Sequence, residues 1–313
     1  MDAMRVIVVG YGVQGRKRLQ VAGSDAVGVV DPVAPEAIWR NLRDVPLTAY
    51  DGALVCTPDE PKLDILGYLA GHGKHALVEK PLYAPGRGDL VALQDTARRT
   101  GAVLYTAYNH RFEPHFVRMR DTISSGVLGR IYSCRMFYGN GTARLVRDSA
   151  WRDKGAGVLP DLGSHLLDTL RFWFGDIGDG FVLNSVNRFE NAAPDHVIIA
   201  CETSVPRFEL EMTLLSWRNH FTCDIFAEKG SAHISSLCKW GPSVFTLRQR
   251  VLPSGRPPED LVTLIQSDPT WEAEYAHFNA LIASGWSTDL GGDIWLNTVL
   301  ARLGAAAAAG AGK

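Results

Sequence analysis

The sequence lacks the features that define several specialised classes of protein. No stretch approaches the roughly 18 consecutive apolar residues that a membrane-spanning helix needs. The first residues contain no basic segment followed by a long apolar one, so no export signal is predicted. The charge is nearly balanced, with 32 Lys and Arg against 34 Asp and Glu, and this argues against a nucleic-acid or membrane partner.

Cysteine is also scarce, and its pattern excludes two further classes. The five cysteines are an odd number, lie far apart and form no C-x-x-C pair. This argues against a disulfide framework and against a zinc knuckle. We therefore expect a protein of the reducing cytoplasm.

What the sequence does contain is enough length and apolar content for two domains. It has 313 residues, of which 46% are hydrophobic and 21% charged, as in soluble globular proteins. Over the first 110 residues, short apolar runs alternate with helical patterns, which predicts βαβ units and a parallel sheet. The predicted strands are Val6–Val9, Ala26–Val30, Ala53–Cys56, Ala76–Val78 and Ala102–Tyr105.

The pattern changes after about residue 110. Strand-like stretches then follow one another with only turns between them, which predicts a mostly antiparallel sheet. We therefore predict an α/β Rossmann-type domain at residues 1–110 and an α+β domain for substrate binding and oligomerisation at residues 111–313, whose C-terminal helix can pack back on the first domain. The strands predicted for this sheet are 181–189, 196–204, 208–216, 221–226, 232–237 and 244–250.

One of these strands has two interpretations. Its alternating apolar residues form a candidate dimer surface if that face of the sheet is exposed. Packing against helices of the same domain is the alternative. The residues concerned are Phe208, Leu210, Met212 and Leu214.

A glycine-rich segment, Gly10-Tyr11-Gly12-Val13-Gln14-Gly15, follows the first predicted strand. It matches the G-x-G-x-x-G pattern of dinucleotide-binding domains, which lies between a strand and a helix and has an acidic residue about 20 positions later. Gly10 would allow the tight turn, Gly12 the approach of a pyrophosphate, and Gly15 the close packing of helix and strand. A turn that needs glycine only for packing is the alternative.

Asp31 ends the second predicted strand and bears on the choice of cofactor. A carboxylate there can bond both ribose hydroxyls and would repel a 2′-phosphate. Pro32-Val33 supplies no cation to offset that repulsion, so NAD is the predicted cofactor. NADP stays possible because the basic residues 16–18 are near the phosphates, although a solvated helix face is the alternative for them.

A carboxylate and an imidazole four residues apart form the second motif. Asp161 and His165 share one face of a predicted helix that continues to about Phe174, and Asp168 lies on the same face. An imidazole titrates near neutral pH, and a neighbouring carboxylate can orient it and stabilise its protonated form. The pair can therefore move a proton to or from a hydroxyl.

Two questions about this motif stay open. Asp168 is either a substrate contact or the structural partner of His165. The three side chains could also ligate a metal ion, since carboxylate and imidazole at this spacing suit one. No second cluster of ligands is evident in the sequence, so no metal is predicted.

The motifs resemble those of the Gfo/Idh/MocA family, the glucose-fructose oxidoreductase and inositol dehydrogenase group. The resemblance covers essentially the whole chain and implies a nicotinamide-dependent oxidoreductase that needs no metal. It rests on the glycine-rich segment, on Glu79-Lys80-Pro81-Leu82 after the fourth predicted strand, on Gly157 with Asp161-x-Gly163-x-His165-x-x-Asp168, and on the shorter segments Thr57-Pro58 and Tyr108-Asn109-His110-Arg111-Phe112.

The resemblance implies a role for individual residues. His165 would take the proton of the substrate hydroxyl, Asp161 would orient the substrate and steady the imidazolium, and Lys80 would bond the reacting oxygen. Besides the glycine-rich segment, the implied cofactor-binding residues are Asp31, Cys56, Thr57, Pro58, Glu79 and Lys80. The candidates for binding substrate are Arg111, Trp151, Arg152 and Asp168, with packing at a domain interface as the alternative for the first three.

We therefore predict an enzyme that transfers hydride between NAD(P) and a secondary alcohol of a sugar, nucleotide sugar or polyol. The substrate is expected between the two domains, in a homodimer or homotetramer. One alternative is internal redox or elimination on a bound cofactor without net turnover. The other is a regulatory protein that binds NAD without catalysis.

The chain departs from the family pattern at two positions. Many relatives have a histidine in the first helix where this chain has Arg18. Many also have a histidine a few residues beyond the Thr-Pro pair, where this chain reads Asp59-Glu60-Pro61-Lys62. These departures concern cofactor affinity and fine contacts more than the class of reaction.

Overall fold

The computed structural model describes residues 4–149, 152–201 and 204–309. The chain divides into two compact units. The first comprises Met1–Asn109 and Pro269–Asn297, and the second comprises His110–Asp268 and Thr298–Lys313. The segment Pro269–Asn297, which the sequence analysis assigned to the second domain, thus groups with the first unit.

The first unit is built on a five-stranded parallel sheet in the order β2-β1-β3-β4-β5. Both faces of the sheet are buried, because Ile7 and Val9 belong to one core cluster while Val6 and Val8 belong to another. A strand covered on both faces reads as a continuous apolar run, which is why these strands could be predicted. They are β1 (Val6–Val9), β2 (Ala26–Val30), β3 (Gly52–Val55), β4 (His75–Glu79) and β5 (Leu104–Ala107).

The second unit is built on an eight-stranded sheet in the order β13-β12-β11-β10-β6-β9-β8-β7. Adjacent strands are antiparallel except β6 and β9, which run parallel. The predicted fold class is therefore confirmed. The strands are β6 (Ile131–Gly139), β7 (Val182–Asn187), β8 (His196–Cys201), β9 (Arg207–Thr213), β10 (His220–Ala227), β11 (Gly230–Ser235), β12 (Ser243–Gln249) and β13 (Glu259–Leu264).

The α-helices connect and follow the strands of the two sheets. The connection from β2 to β3 holds the short 3₁₀ turns Leu42–Asp44 and Leu47–Ala49 instead of an α-helix. The helices are α1 (Val13–Ala22), α2 (Lys62–Gly71), α3 (Arg87–Thr100), α4 (Pro114–Ser124), α5 (Ala143–Arg147), α6 (Ser164–Phe174), α7 (Thr270–Ala283) and α8 (Gly291–Ala309).

The apolar face of β9 lies in the core of the second unit. Phe208, Leu210, Met212 and Leu214 are at most 2% exposed. The ring of Phe208 lies 5.2 Å from that of Phe174 in α6. Helices of the same unit therefore cover this face, and its interpretation as a dimer surface is wrong.

Within the described ranges, no helix is both long enough and apolar enough to cross a lipid bilayer.

Phe278 tests whether α7 is part of the core of the first unit. Its side chain is 0% exposed and packs in the same cluster as Val6, Val8 and Leu54. Phe278→Ala should lower the free energy of unfolding by about 3–5 kcal/mol, because it removes buried area and leaves a cavity. Urea unfolding followed by circular dichroism measures the change.

Phe189→Ala is the matched control, because that side chain is 67% exposed. We expect it to change the free energy of unfolding by less than about 1 kcal/mol. An equally small change for Phe278→Ala would contradict the assignment of α7 to this core.

Candidate active site

The glycine-rich segment forms a tight turn between β1 and α1. Gly10 has a φ of +91°, and a Cβ there would lie 2.9 Å from the carbonyl group of Cys56. A Cβ on Gly15 would overlap the carbonyl oxygen of Gly10. A Cβ on Gly12 would meet nothing within 4 Å. Two of the glycines are therefore required by packing, while the third leaves a face of the turn open to a ligand.

The start of α1 can attract an anion. Gly12 is the N-cap, and no side chain caps the first N–H groups of the helix. Val13 and Gln14 begin the helix and are exposed, while Tyr11 is half-buried. Uncapped N–H groups and the helix dipole favour a negative charge at this point.

Asp31 fixes the glycine turn through its carboxylate. Oδ2 accepts a hydrogen bond from the N–H of Tyr11 at 2.7 Å, while Oδ1 accepts from Val33 at 2.9 Å and Ala34 at 2.8 Å. Burial alone would raise the pKa of this carboxyl, but the three N–H groups and the charge of Arg40 outweigh it and lower the pKa below 3.8. Arg40 is a cation that the sequence pattern did not place near Asp31.

The other residues predicted to bind the cofactor lie at the ends of parallel strands. Cys56, Thr57 and Pro58 follow β3, while Glu79 is the last residue of β4 and Lys80 comes next. The carboxyl ends of parallel strands meet at one edge of a sheet, which is where ligands bind in open α/β folds. The Lys80–Pro81 peptide bond is cis.

Arg18 is buried between two carboxylates, so both predictions for it, a phosphate-facing or a solvated side chain, are wrong. It is 2% exposed, and its Nε donates to Glu79 Oε1 at 2.8 Å. Its Nη2 lies 2.7 Å from Glu274 Oε2, and its guanidinium carbon is 4.2 Å from the ring centroid of Trp271. Burial alone would lower the pKa of Arg18, but the two carboxylates outweigh it and raise that pKa above its usual value.

Asp161 and His165 lie at the start of α6. Asp161 belongs to a π-helical turn, Leu159–Gly163, while His165 is the second residue of the α-helix. His165 is 8% exposed, whereas the Asp161 side chain is 38% exposed and lies 3.6 Å from Nη2 of Arg152. Single π-helical turns are frequent at functional sites. The structure thus keeps the predicted spacing but changes the local helix type.

His165 lies in a group of side chains that no sequence motif predicted around it. The ring of His110 stacks on it with centroids 4.1 Å apart and planes at 21°. Lys239 Nζ lies 3.5 Å from His110 Nε2, and the ring of Tyr138 lies 5.5 Å from that of His110. His110 belongs to the segment 108–112 of the family resemblance, and that membership is the one sequence feature that could have indicated a place for it in the site.

Asp168 and Arg111 pair with each other. Arg111 Nε donates to Asp168 Oδ2 at 2.9 Å, and Nη2 donates to Oδ1 at 2.5 Å. Burial raises the pKa of the Asp168 carboxyl, while Arg111 opposes that shift. The Asp168 carboxylate thus has Arg111 as a partner, a pairing that the sequence motif did not predict. Trp151 lies outside the described residues.

Among residues 4–149, 152–201 and 204–309, no three His, Cys, Asp or Glu side chains form a group that could hold a metal ion.

The chain is similar in sequence to a family model and to several characterised proteins. Residues 116–233 match the family model described as the GFO/IDH/MocA C-terminal domain. The rhizopine catabolism protein MocA of Rhizobium meliloti is 28% identical over 224 residues, 65% of this chain and 69% of that protein. Inositol 2-dehydrogenase of Rhizobium meliloti is 27% identical over 190 residues, 55% of this chain and 56% of that protein. The predicted family resemblance is confirmed.

Solved structures extend the likeness to the whole fold. Levoglucosan dehydrogenase in complex with NADH has a TM-score of 0.82, with 98% of this chain and 97% of that chain covered, at 18% identity. At that identity the likeness concerns the fold alone. It matches both the parallel sheet and the mostly antiparallel sheet described above.

Asp31→Asn tests whether the charged carboxylate stabilises the glycine turn. Because the pKa of Asp31 is lowered in the folded protein, its charge adds stability above the unfolded value of 3.8 and loses that contribution as the pH falls toward the folded value. The difference in free energy of unfolding between wild type and variant should be largest near about pH 6 and shrink below about pH 4. Urea unfolding across this range measures it.

Asp64→Asn serves as the control, because the Asp64 side chain is 75% exposed and pairs only across the surface with Arg43. For Asp64→Asn, the difference in free energy of unfolding from wild type should not shrink in this way at low pH. A difference for Asp31→Asn that stays constant with pH would rule out a contribution from the charge.

Proposed function

We propose that this chain is an NAD(P)-dependent oxidoreductase of the Gfo/Idh/MocA family, which the match of residues 116–233 and the similarity to MocA and inositol 2-dehydrogenase support. It transfers hydride between the nicotinamide and a secondary alcohol of a sugar, nucleotide sugar or polyol. The observation that carries the proposal is that Lys80, Asp161 and His165 are all present, each at the strand or helix terminus expected for it. Relatives named for inositol and levoglucosan support the substrate class.

The first unit fits a dinucleotide. The open face at Gly12 and the uncapped start of α1 suit a pyrophosphate, and Asp31 at the end of β2 suits a ribose. The carboxylate of Asp31 favours NAD, and Arg40 beside it leaves NADP as a second cofactor. Thr57 and Glu79 line the same edge of the sheet. When bound, the nicotinamide accepts or returns the hydride.

The proton is handled by the chain itself. In the oxidative direction His165 takes the proton of the substrate hydroxyl as the hydride leaves the same carbon, and in the reverse direction it returns that proton. Lys80 donates a hydrogen bond to the reacting oxygen and stabilises its negative charge. Asp161 orients the substrate and stabilises the imidazolium of His165.

Arg111 and Arg152 are the proposed contacts to the rest of the substrate. Asp168 holds the guanidinium of Arg111 in one orientation through two hydrogen bonds, and the Arg111 side chain is 29% exposed. A fixed, partly exposed guanidinium suits a hydroxyl pair or an anionic group of a substrate. We also propose a homodimer or homotetramer, and a cytoplasmic location because the five widely spaced cysteines fit a reducing compartment.

A substrate screen tests the proposal. Sugars, nucleotide sugars and polyols are offered with NAD or NADP, and the absorbance of the reduced nicotinamide is followed. We expect turnover with at least one alcohol. Lys80→Ala and His165→Ala should each lower kcat about 100-fold to 10,000-fold, because they remove the groups that handle charge and proton.

Lys229→Ala and His72→Ala are matched controls, since both side chains are exposed. They should leave kcat within about twofold of wild type. Unchanged activity in both Lys80→Ala and His165→Ala would refute the catalytic assignment. A cofactor that stays bound, with no net turnover on any alcohol, would favour internal redox or elimination instead.

A further inference from the structure

Two buried cations hold the segment around Lys80 from opposite sides. Nε of Arg18 donates to the side chain of Glu79 at 2.8 Å. Nζ of Lys62 donates to the carbonyl oxygen of Pro81 at 3.1 Å. Arg18 and Lys62 are each only 2% exposed. The residues immediately before and after Lys80 are therefore both anchored to a fixed positive charge.

The Arg18 anchor is itself immobilised. Its second nitrogen pairs with Glu274 at 2.7 Å, and Glu274 is 0% exposed. Trp271 covers the guanidinium, with 4.2 Å from the guanidinium carbon to the ring centroid. A side chain that bonds two carboxylates and stacks on an indole cannot change rotamer without losing buried charge pairing. Glu79 is thus held against a rigid partner.

The Lys62 anchor is fixed in the same way. Its ammonium lies 2.6 Å from Asp59 Oδ1 in the loop that follows Thr57-Pro58. One ammonium therefore links the loop after β3 to the loop after β4. Burial and the charge of Glu79 raise the pKa of the Cys56 thiol, while the charges of Arg18 and Lys62 oppose that shift, so both cations act on this end of β3.

Arg18 keeps its charge throughout the range in which a histidine titrates, because Glu79 and Glu274 raise the pKa of its guanidinium. A buried cation also costs free energy unless each of its partners is in place. Arg18 and Lys62 therefore keep their buried partners only while Glu79 and Pro81 stay in their observed positions.

We propose that Arg18 and Lys62 are positioning residues, which fix the backbone on both sides of Lys80 and so set where its ammonium meets the reacting oxygen. This inference rests on the proposed function of Lys80. A displacement of about 1 Å in a catalytic group can cost about 100-fold in rate, so loss of either anchor should act on kcat.

The test uses Arg18→His and Lys62→Met in the full-length chain. Lys62→Met keeps an unbranched side chain one atom shorter but removes the charge, and should lower kcat about 10-fold to 100-fold with a smaller change in the dissociation constant of NAD. Arg18→His should approach the wild-type kcat at low pH. Its kcat relative to wild type should then fall as the pH rises, because only a protonated imidazole can hold the two carboxylates.

Arg43→Gln is the control, since Arg43 forms a surface pair with Asp64 in the same unit and its side chain is 56% exposed. Its kcat relative to wild type should stay within about twofold at every pH. All assays are run well below the melting temperature of each variant, so that unfolding does not contribute.

The outcomes separate this inference from the proposed function. If Lys80→Ala keeps its kcat, the proposed function is wrong. If Lys80→Ala loses activity while Lys62→Met and Arg18→His keep theirs, the positioning role is wrong. A raised dissociation constant for NAD at unchanged kcat, or a loss in Arg18→His that does not vary with pH, also overturns it.

Discussion

A buried guanidinium neutralised by two carboxylates is the interaction on which the first unit depends. Arg18 comes from α1, Glu79 from the end of β4 and Glu274 from α7. Each of these charges would be costly to bury alone, and each is stable only while the other two are in place. The network therefore joins three elements that are distant in sequence and fixes the strand end that precedes Lys80. Apolar packing supplies the core, while these ion pairs hold α1, the end of β4 and α7 in position at the edge of the sheet.

In the second unit, the position of the Asp161 and His165 side chains depends on close packing of the π-helical turn before α6 against β9. A Cβ on Gly163 would lie 2.7 Å from Sδ of Met212, so only glycine allows the π-helical turn to approach β9 this closely. That approach places Asp161 at the surface while His165 is buried against His110. The glycine of the Asp/His motif thus has a packing function, and the chemistry of its neighbours depends on it.

Much of the fold could be predicted because its signals are local. The strands β1 to β5 are short, largely apolar runs, and their alternation with helical segments predicts a parallel sheet. The strand β13 was not predicted, because it is an edge strand whose residues are largely exposed and carry no apolar alternation. The alternation in β9 predicted a buried face correctly, but periodicity does not tell which surface covers that face.

The sequence by itself determined the glycine turn, the strand and helix periodicity, and the spacing of Asp161 and His165, since these depend on backbone conformation and on neighbours a few residues apart. Only the tertiary structure decided the partners of the charged groups: Arg18 with Glu79 and Glu274, Arg111 with Asp168, and His110 with His165. The free energy of a buried charge or ring depends on what folding brings beside it. That environment is assembled from distant segments, and local sequence does not encode which of them will meet.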